Sequence, residues 1–307
     1  MSSQPTRQDR AWPIASLAAA GCLWGTGFLF GKITFAEMTV SENVGYRFIF
    51  GSLGLSPILW KSPPKFHRRA WGLLVLASIV GVPILFLLQF NGLEATTVSH
   101  ASLIVGALPV LLALSSAVLL SAVLLKEKLN AFEYGLMMLS AAGAVLITIA
   151  KKAVAGPQPT VKGDLLVFLS MFAAMVMILL SKRLMDEYGA LQVTAWMMAI
   201  STLALLIWIE VTHPMRVHFS LHVWLAVIAQ GILATTGAYL FWNWGLARVP
   251  AARAGIFLNL EPLVGTLLGV FILGESLGAL GILGGALILF AAAYFSRPGD
   301  SLTHELE

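Results

Sequence analysis

Residues 71–109 read WGLLVLASIVGVPILFLLQFNGLEATTVSHASLIVGALP, and residues 224–262 read WLAVIAQGILATTGAYLFWNWGLARVPAARAGIFLNLEP. At one constant offset the two stretches share Trp71 with Trp224, Ile79 with Ile232, Gly92 with Gly245, Leu93 with Leu246, Ala101 with Ala254 and Pro109 with Pro262. An apolar alphabet yields some identities by chance. The fixed offset and the agreement of both prolines carry the repeat. Past the prolines the register slips: Leu125-Lys126-Glu127-Lys128-Leu129 answers to Leu273-Gly274-Glu275-Ser276-Leu277. Each copy lies in a half holding five long apolar segments, and an odd number turns the second copy upside down in a bilayer. The expected fold is an all-α membrane protein of ten transmembrane helices, in two inverted five-helix repeats around a central cavity. Such architectures place the substrate where the repeats meet, near the midplane.

Composition supports this class. Hydrophobic residues make up 58% of the chain and charged residues 11%, and mean hydropathy is +0.87. That is too little charge to clothe a soluble surface. The apolar runs are continuous and span a hydrocarbon core of about 30 Å as helices, whereas a barrel would alternate apolar and polar residues. Cys22 is the sole cysteine, so an intramolecular disulfide and a multi-cysteine zinc site are excluded. The net charge of +4 comes from residues scattered through short loops and is no nucleic-acid footprint. The N-terminal segment lacks a short apolar core with a cleavage site, so no cleaved signal peptide is expected.

Pro, Gly and charge divide the chain into spans at 12–33, 42–60, 70–90, 98–124, 131–150, 163–183, 190–211, 221–246, 251–273 and 277–296. The first repeat is expected over 12–150 and the second over 163–296. Residues 151–162, with Gly156, Pro157 and Pro159, form the linker between them. With the N-terminus inside, Arg7, Arg10, Lys61, Lys65, Arg68, Arg69, Lys126, Lys128, Lys182, Arg183, Arg248, Arg253 and Arg297 fall on the cytoplasmic side. Lys32, Lys151, Lys152, Lys162 and Arg216 fall outside. The positive-inside rule then places both termini in the cytoplasm, and the expected location is a bacterial inner membrane.

Ala20-Gly21-Cys22-Leu23-Trp24-Gly25, Leu258-Asn259-Leu260-Glu261-Pro262 and the following Leu273-Gly274-Glu275 resemble motifs of the EamA family of the drug/metabolite transporter superfamily. Ala107-Leu108-Pro109 and Lys126-Glu127 are a looser version in the first half. The resemblance runs from about residue 12 to 296 and is greatest to bacterial aromatic amino acid exporters. It implies ten helices in two inverted repeats and a cavity opened alternately to each side.

Glu261 is the leading site candidate. It lies about 15 Å into the ninth span at helical rise, where a carboxylate costs roughly 2.5–3.5 kcal/mol. The following Pro262 cannot donate to the carbonyl of Leu258. Glu261 therefore serves either as a hydrogen-bonding strut or gate at a kink, or as a contact for an ammonium group or proton. Pro109 and Pro262 are candidate paired hinges, the alternative being plain bends. Gln89 and Asn91 end the third span as Trp242, Asn243 and Trp244 end the eighth. Amides suit a zwitterion and indoles offer a flat wall, although Trp also belongs at the membrane interface as an anchor. Tyr239 and Asn259 sit deeper, where a polar tip needs a partner. Trp24, beside Gly25 and Gly27, either lines the pathway or only packs a helix. Lys32, Arg47, His100 and Lys182 are candidate gates or ion pairs. Arg47 lies inside its span and requires a partner, while the others also fit interfacial snorkelling or loop anchoring.

No HExxH, G-x-S-x-G or Walker lysine occurs, so an enzyme or ATP-driven pump is not expected, nor is any metal or cofactor. The expected function is export of aromatic and other neutral amino acids by alternating access, as facilitation and not proton coupling, since the sequence places no second acid deep within a span to relay a proton. The expected partners are the small-molecule substrate and membrane lipid, with the protein acting as a monomer. A multidrug or cationic-compound exporter is the alternative within transport, and a lipid scramblase the alternative outside it.

Overall fold

The computed structural model describes residues 7–61, 66–95, 104–105, 108–109, 111–112, 131–150, 160–212, 215–273 and 278–295. Among these residues the chain is helical and contains no strand. Helices α1 (Arg7–Thr34) and α2 (Val40–Lys61) are consecutive, joined by the turn at 35–39. Helix α3 is continuous but changes pitch, running Arg68–Ile79, a π-helical turn Val80–Ile84, and Leu85–Glu94. Helix α4 covers Ala131–Ala150, α5 Val161–Tyr188 and α6 Ala190–Thr212. Helix α7 repeats the α3 pattern: Leu221–Gly231, a π-helical turn Ile232–Gly237, then Ala238–Leu246. Helix α8 begins at Ala251–Gly255, tightens to 3-10 over Ile256–Asn259 and continues over Leu260–Leu273, and α9 is Ala279–Phe295. The expected span 98–124 lies mostly outside the described residues, although 104–105, 108–109 and 111–112 are helical.

Among the described residues, six stretches are long and apolar enough to cross a membrane: Ala11–Gly31, Arg68–Gln89, Val161–Tyr188, Ala190–Thr212, Leu221–Leu246 and Arg253–Ile272. Ala131–Leu146 and Ala279–Phe295 are apolar but shorter. Helix α2 is not among them; Glu42, Arg47 and Lys61 lower its hydropathy, and Arg47 is held inside by partners described below. The bundle also exposes large apolar side chains along whole helix faces, including Phe168 and Phe172 on α5, Leu203 and Ile207 on α6, and Phe271 on α8 at 81% exposure. Water does not stabilise such faces, and lipid does.

Of the expected linker 151–162, residues 151–159 lie outside the described set, and the last two residues belong to α5. The Thr160 hydroxyl accepts from Gly163 N at 3.1 Å and caps the helix, so Lys162 is inside the first turn and not in a loop. Thr160 also donates through its backbone N–H to Ala95 O at 3.2 Å, which ties α5 to the end of α3. Gly189, at φ 83°, makes the sharp turn from α5 into α6.

Helix α1 packs on α7 and α8, α2 on α6 and α7, α3 on α5 and α6, and α4 on α9. Small residues permit the closest approaches. A Cβ on Gly25 would stand 2.6 Å from Val264 Cβ and 2.9 Å from Glu261 O, which fixes α1 against the functional segment of α8. Gly92 faces Gly163 O and Val167, and Gly245 faces Pro13 O and Leu17, at distances that leave no room for a side chain.

Candidate functional site

Two ionisable side chains from distant parts of the chain come within electrostatic reach of each other inside the bundle. Arg47 enters from α2. Its Nε donates to Thr235 Oγ1 at 2.8 Å and its Nη2 to Ala234 O at 3.0 Å. Both acceptors belong to the π-helical turn of α7. Widening the helix by one residue displaces carbonyls from the ordinary i to i+4 ladder, and here one of them accepts the guanidinium. The Arg47 Cζ also lies 5.8 Å from the Phe48 ring centroid and 6.0 Å from that of Phe86. Glu261 enters from α8, immediately after the 3-10 turn and before Pro262. Glu261, Arg47 and Tyr239 lie within electrostatic reach of one another, yet no direct ion pair joins Arg47 to Glu261. Both charged residues are half-buried.

The wall around them is aromatic. The Trp24 ring lies 5.6 Å from Tyr239, edge-on, and 5.4 Å from Trp242. Trp24 stays half-buried, while Tyr239 and Trp242 are buried at 6% and 2% exposure. Phe86, from just beyond the π-helical turn of α3, packs edge-on against Phe48 at 5.2 Å. The arrangement offers a cation, an anion and flat apolar surface within one region.

The other expected site residues are placed differently. Asn243 is buried and donates to Thr194 Oγ1 at 2.8 Å, joining α7 to α6. Asn259 is buried and donates to Ser140 Oγ at 2.9 Å, joining α8 to α4. These amides serve as interhelical ties, and their depth in the spans reflects that use. Gln89 is half-buried near the end of α3, and Asn91 is exposed and donates to its own helix at Leu87 O, 2.7 Å away. Pro109 is buried, with its Cα facing Gly255 at the start of α8. Pro262 follows the 3-10 turn Ile256–Asn259, which is where the missing donor disturbs the helix. Lys182 is buried, and its Nζ donates to Leu246 O at 2.8 Å and Val249 O at 3.0 Å, so it caps the C-terminal end of α7. Lys32 falls within α1, and His100 lies outside the described residues.

Sequence reasoning passed over a buried amide cluster. Asn43 Nδ2 donates to Thr34 Oγ1 and to Gln230 Oε1, each at 2.8 Å, and Gln230 Nε2 donates to Gly27 O at 3.0 Å. The readable signal was an amide, Gln230, and a hydroxyl pair, Thr235-Thr236, inside one apolar span; polar groups at such depth need partners.

Two polar clasps close opposite ends of the bundle. At one, Arg216 grips Glu42 through Nε to Oε1 at 2.7 Å and Nη2 to Oε2 at 2.8 Å, and Ser220 binds Glu37 through both its backbone N–H, at 2.8 Å, and its hydroxyl. Burial of Glu42 (5% side-chain exposure) against a 58% exposed Arg216 makes this a partly desolvated pair. The hydrogen bonds from Ser220, hydroxyl first, hold the Glu37 carboxyl below its usual range. At the other end, His67 meets Tyr188 and, at 3.6 Å, Glu187.

A helical membrane bundle with half-buried opposite charges at its centre and clasps at its ends has the makings of a solute transporter. The chain belongs to the EamA-like transporter family, whose model matches residues 11–149 and again 161–297. Over 283 residues it is 26% identical to an uncharacterized transporter of Archaeoglobus fulgidus, covering 91% of this chain and 95% of that protein. It is 24% identical over 269 residues to the uncharacterized transporter YetK of Bacillus subtilis, covering 85% and 79%. A solved crystal structure has the same fold, with a TM-score of 0.78 at 22% identity, covering 97% of this chain and 99% of that one. The protein is thus a multi-pass membrane transporter.

Proposed function

We propose that this transporter exports neutral amino acids, aromatic ones included, across a bacterial inner membrane by alternating access and without proton coupling. The observation that carries the reading is the placing of Arg47 and Glu261 within electrostatic reach of each other, near Tyr239 with its Trp24 neighbour and Phe86. A zwitterion would direct its carboxylate to Arg47 and its ammonium group to Glu261, and an aromatic side chain would lie against Trp24. Two opposite charges neutralise one zwitterion, so the loaded site carries little net charge through the membrane. A multivalent cation would instead leave Arg47 opposing it.

The cycle we infer uses ten spans in two inverted repeats, with both termini cytoplasmic. Support comes from the two family matches in one chain and from the two π-helical turns beginning at Val80 and Ile232 in matching places of α3 and α7. The helix pairings add to it: α1 on α7 is answered by α5 on α3, as a twofold relation between the halves requires.

The test is counterflow in liposomes containing the purified full chain, with a panel of radiolabelled amino acids and with or without a pH gradient. Exchange of phenylalanine or tryptophan above protein-free liposomes, unaffected by a protonophore, is expected. No exchange of any amino acid would refute the substrate class, and concentrative uptake that collapses with protonophore would refute facilitation.

A further inference from the structure

Away from the central site, a groove of about 850 Å³ opens on the flank of the bundle between the start of α1 and the end of α7. Trp12, Ala15 and Ala19 line it from α1, Leu240, Phe241 and Trp244 from α7, with Leu191 of α6 beside them. Trp12, Leu191 and Phe241 are exposed. The one hydroxyl in the lining, Ser16 Oγ, is already used, donating to Phe241 O at 2.7 Å. The groove is therefore greasy along its length and charged at a single point: Arg248, beyond the last turn of α7.

Arg248 is held in place. Its guanidinium lies 4.2 Å from the Trp244 ring centroid and Nη1 donates to Trp244 O at 2.8 Å. Its backbone N–H donates to Gly245 O at 2.9 Å. The loop that carries it is pinned by Lys182, which takes Leu246 O and Val249 O from below. A guanidinium has five N–H donors, and the exposed head keeps donors available outside the bond to Trp244. The end of α7 and the start of α1 lie at the same end of the bundle, at the edge of the apolar stretches Leu221–Leu246 and Ala11–Gly31. Trp and Arg at that level sit among lipid headgroups.

The geometry points to a binding site for an anionic phospholipid of the leaflet on the N-terminal side: an acyl chain lies in the groove between α1 and α7, and the headgroup phosphate meets Arg248. The charge of Arg248 favours a headgroup of net negative charge, whose phosphate no choline cation neutralises, and the apolar length of the groove selects a lipid over a soluble anion. Since α1 and α7 also carry Trp24, Tyr239 and the π-helical turn that receives Arg47, lipid in this seam would bear directly on the two helices that frame the central site.

The test is native mass spectrometry of the detergent-purified full chain, exchanged into phosphatidylglycerol or phosphatidylcholine. Retention of phosphatidylglycerol should exceed that of phosphatidylcholine by about fivefold, the scale of one basic side chain near an anionic surface. Arg248→Gln should reduce the two to parity, and because Arg248 is exposed the fold should survive it. Ala19→Trp, which fills the groove, should lower retention of both lipids. Inorganic phosphate in excess should displace neither. An unchanged preference in Arg248→Gln, retention indifferent to Ala19→Trp, or displacement by inorganic phosphate would each overturn the assignment.

Discussion

Gly92 and Gly245 hold the same place in the two halves of the chain, and they meet the same surroundings. A side chain at Gly92 would strike Gly163 O at 2.9 Å and Val167 Cγ2 at 2.7 Å; at Gly245 it would strike Pro13 O at 2.8 Å and Leu17 Cγ at 2.7 Å. The end of α3 sits on α5 as the end of α7 sits on α1. Packing is shared between the halves, but charge is not. Glu261 of the second half answers to Leu108 of the first, by the offset that aligns Pro262 with Pro109. Between α2 and α6, the Ser52 and Thr202 hydroxyls meet at 2.7 Å, and each also bonds a carbonyl of the other helix, Ser52 to Met198 O and Thr202 to Phe48 O; by the offset that aligns Thr202 with Ser52, buried Met197 is the counterpart of Arg47. Each half thus contributes one charge to the centre and an apolar residue where the other half has its charge. On the function proposed above, the two halves share packing but not charge, so the site would have two chemically distinct ends.

The strongest way to break that reading is to restore symmetry. Arg47→Met copies Met197 into the first half. It removes the one cation held by the α7 π-helical turn and should lower amino acid counterflow by about 100-fold or more, the scale of losing a desolvated, hydrogen-bonded charge partner. Thermal unfolding in detergent should shift far less, because the Thr235 hydroxyl keeps its own bond to Gln230 O at 3.4 Å. Counterflow at the parental rate would remove Arg47 from the site.

Glu261→Gln separates charge from shape. An amide keeps most of the hydrogen-bonding capacity of the acid but cannot answer an ammonium group with charge. We expect counterflow to drop about tenfold, in keeping with charge-assisted hydrogen bonds being roughly twice as strong as neutral ones, with unfolding little changed. If Glu261→Gln exchanges amino acids as the parent does while Glu261→Leu fails to fold, Glu261 is a strut at the kink. If Glu261→Gln loses only a response to pH gradients, it is a proton site and the facilitator reading fails.

The glycines test the shared scaffold. Gly92→Ala and Gly245→Ala should each destabilise the bundle by about 1–3 kcal/mol, the usual cost of overpacking a close contact, and by similar amounts. Melting curves of both variants in the same detergent measure it. A large loss in one half and none in the other would mean that the halves pack differently despite the matched glycines.

How much of this was readable depends on what a residue's neighbours in sequence reveal. Gly92 and Gly245 were legible because packing imprints itself on both copies at a fixed offset. The family motif led to Glu261 because Pro262 marks the place. Arg47 was legible only as a charge in need of a partner; that the partner is a carbonyl of a π-helical turn depends on a local helix geometry that no residue pattern in 232–237 announces. Asn243 and Asn259 illustrate the opposite difficulty. From sequence, a buried amide facing a solute and one facing Thr194 or Ser140 look alike, since both satisfy the same rule that polar groups at depth need partners.

The smallest expected effect comes from the clasps at the two ends, which resemble each other in position but differ in chemistry. One is built on carboxylates held by Arg216 and Ser220, the other on His67 with Tyr188 and Glu187. Glu37 has its pKa lowered from 4.5 in the folded chain, chiefly by the Ser220 hydroxyl and then by the Ser220 backbone N–H. The unfolded state therefore takes up protons first as pH falls. The stabilisation from the ionised Glu37 is complete above its unfolded value and declines as pH drops through about 4.5 towards the lower folded value. Glu37→Gln should lower the melting temperature slightly at pH 7, and the gap to the parent should narrow below that window. Because the half-buried Glu37 side chain remains about a third exposed to solvent (34%), the shift should be a small fraction of that in the glycine variants. His67→Gln alters the opposite clasp and should leave this acid-side narrowing intact. If it instead abolishes the pH dependence, the two ends do not act independently, and the clasp at Glu37 is not where the acid is sensed.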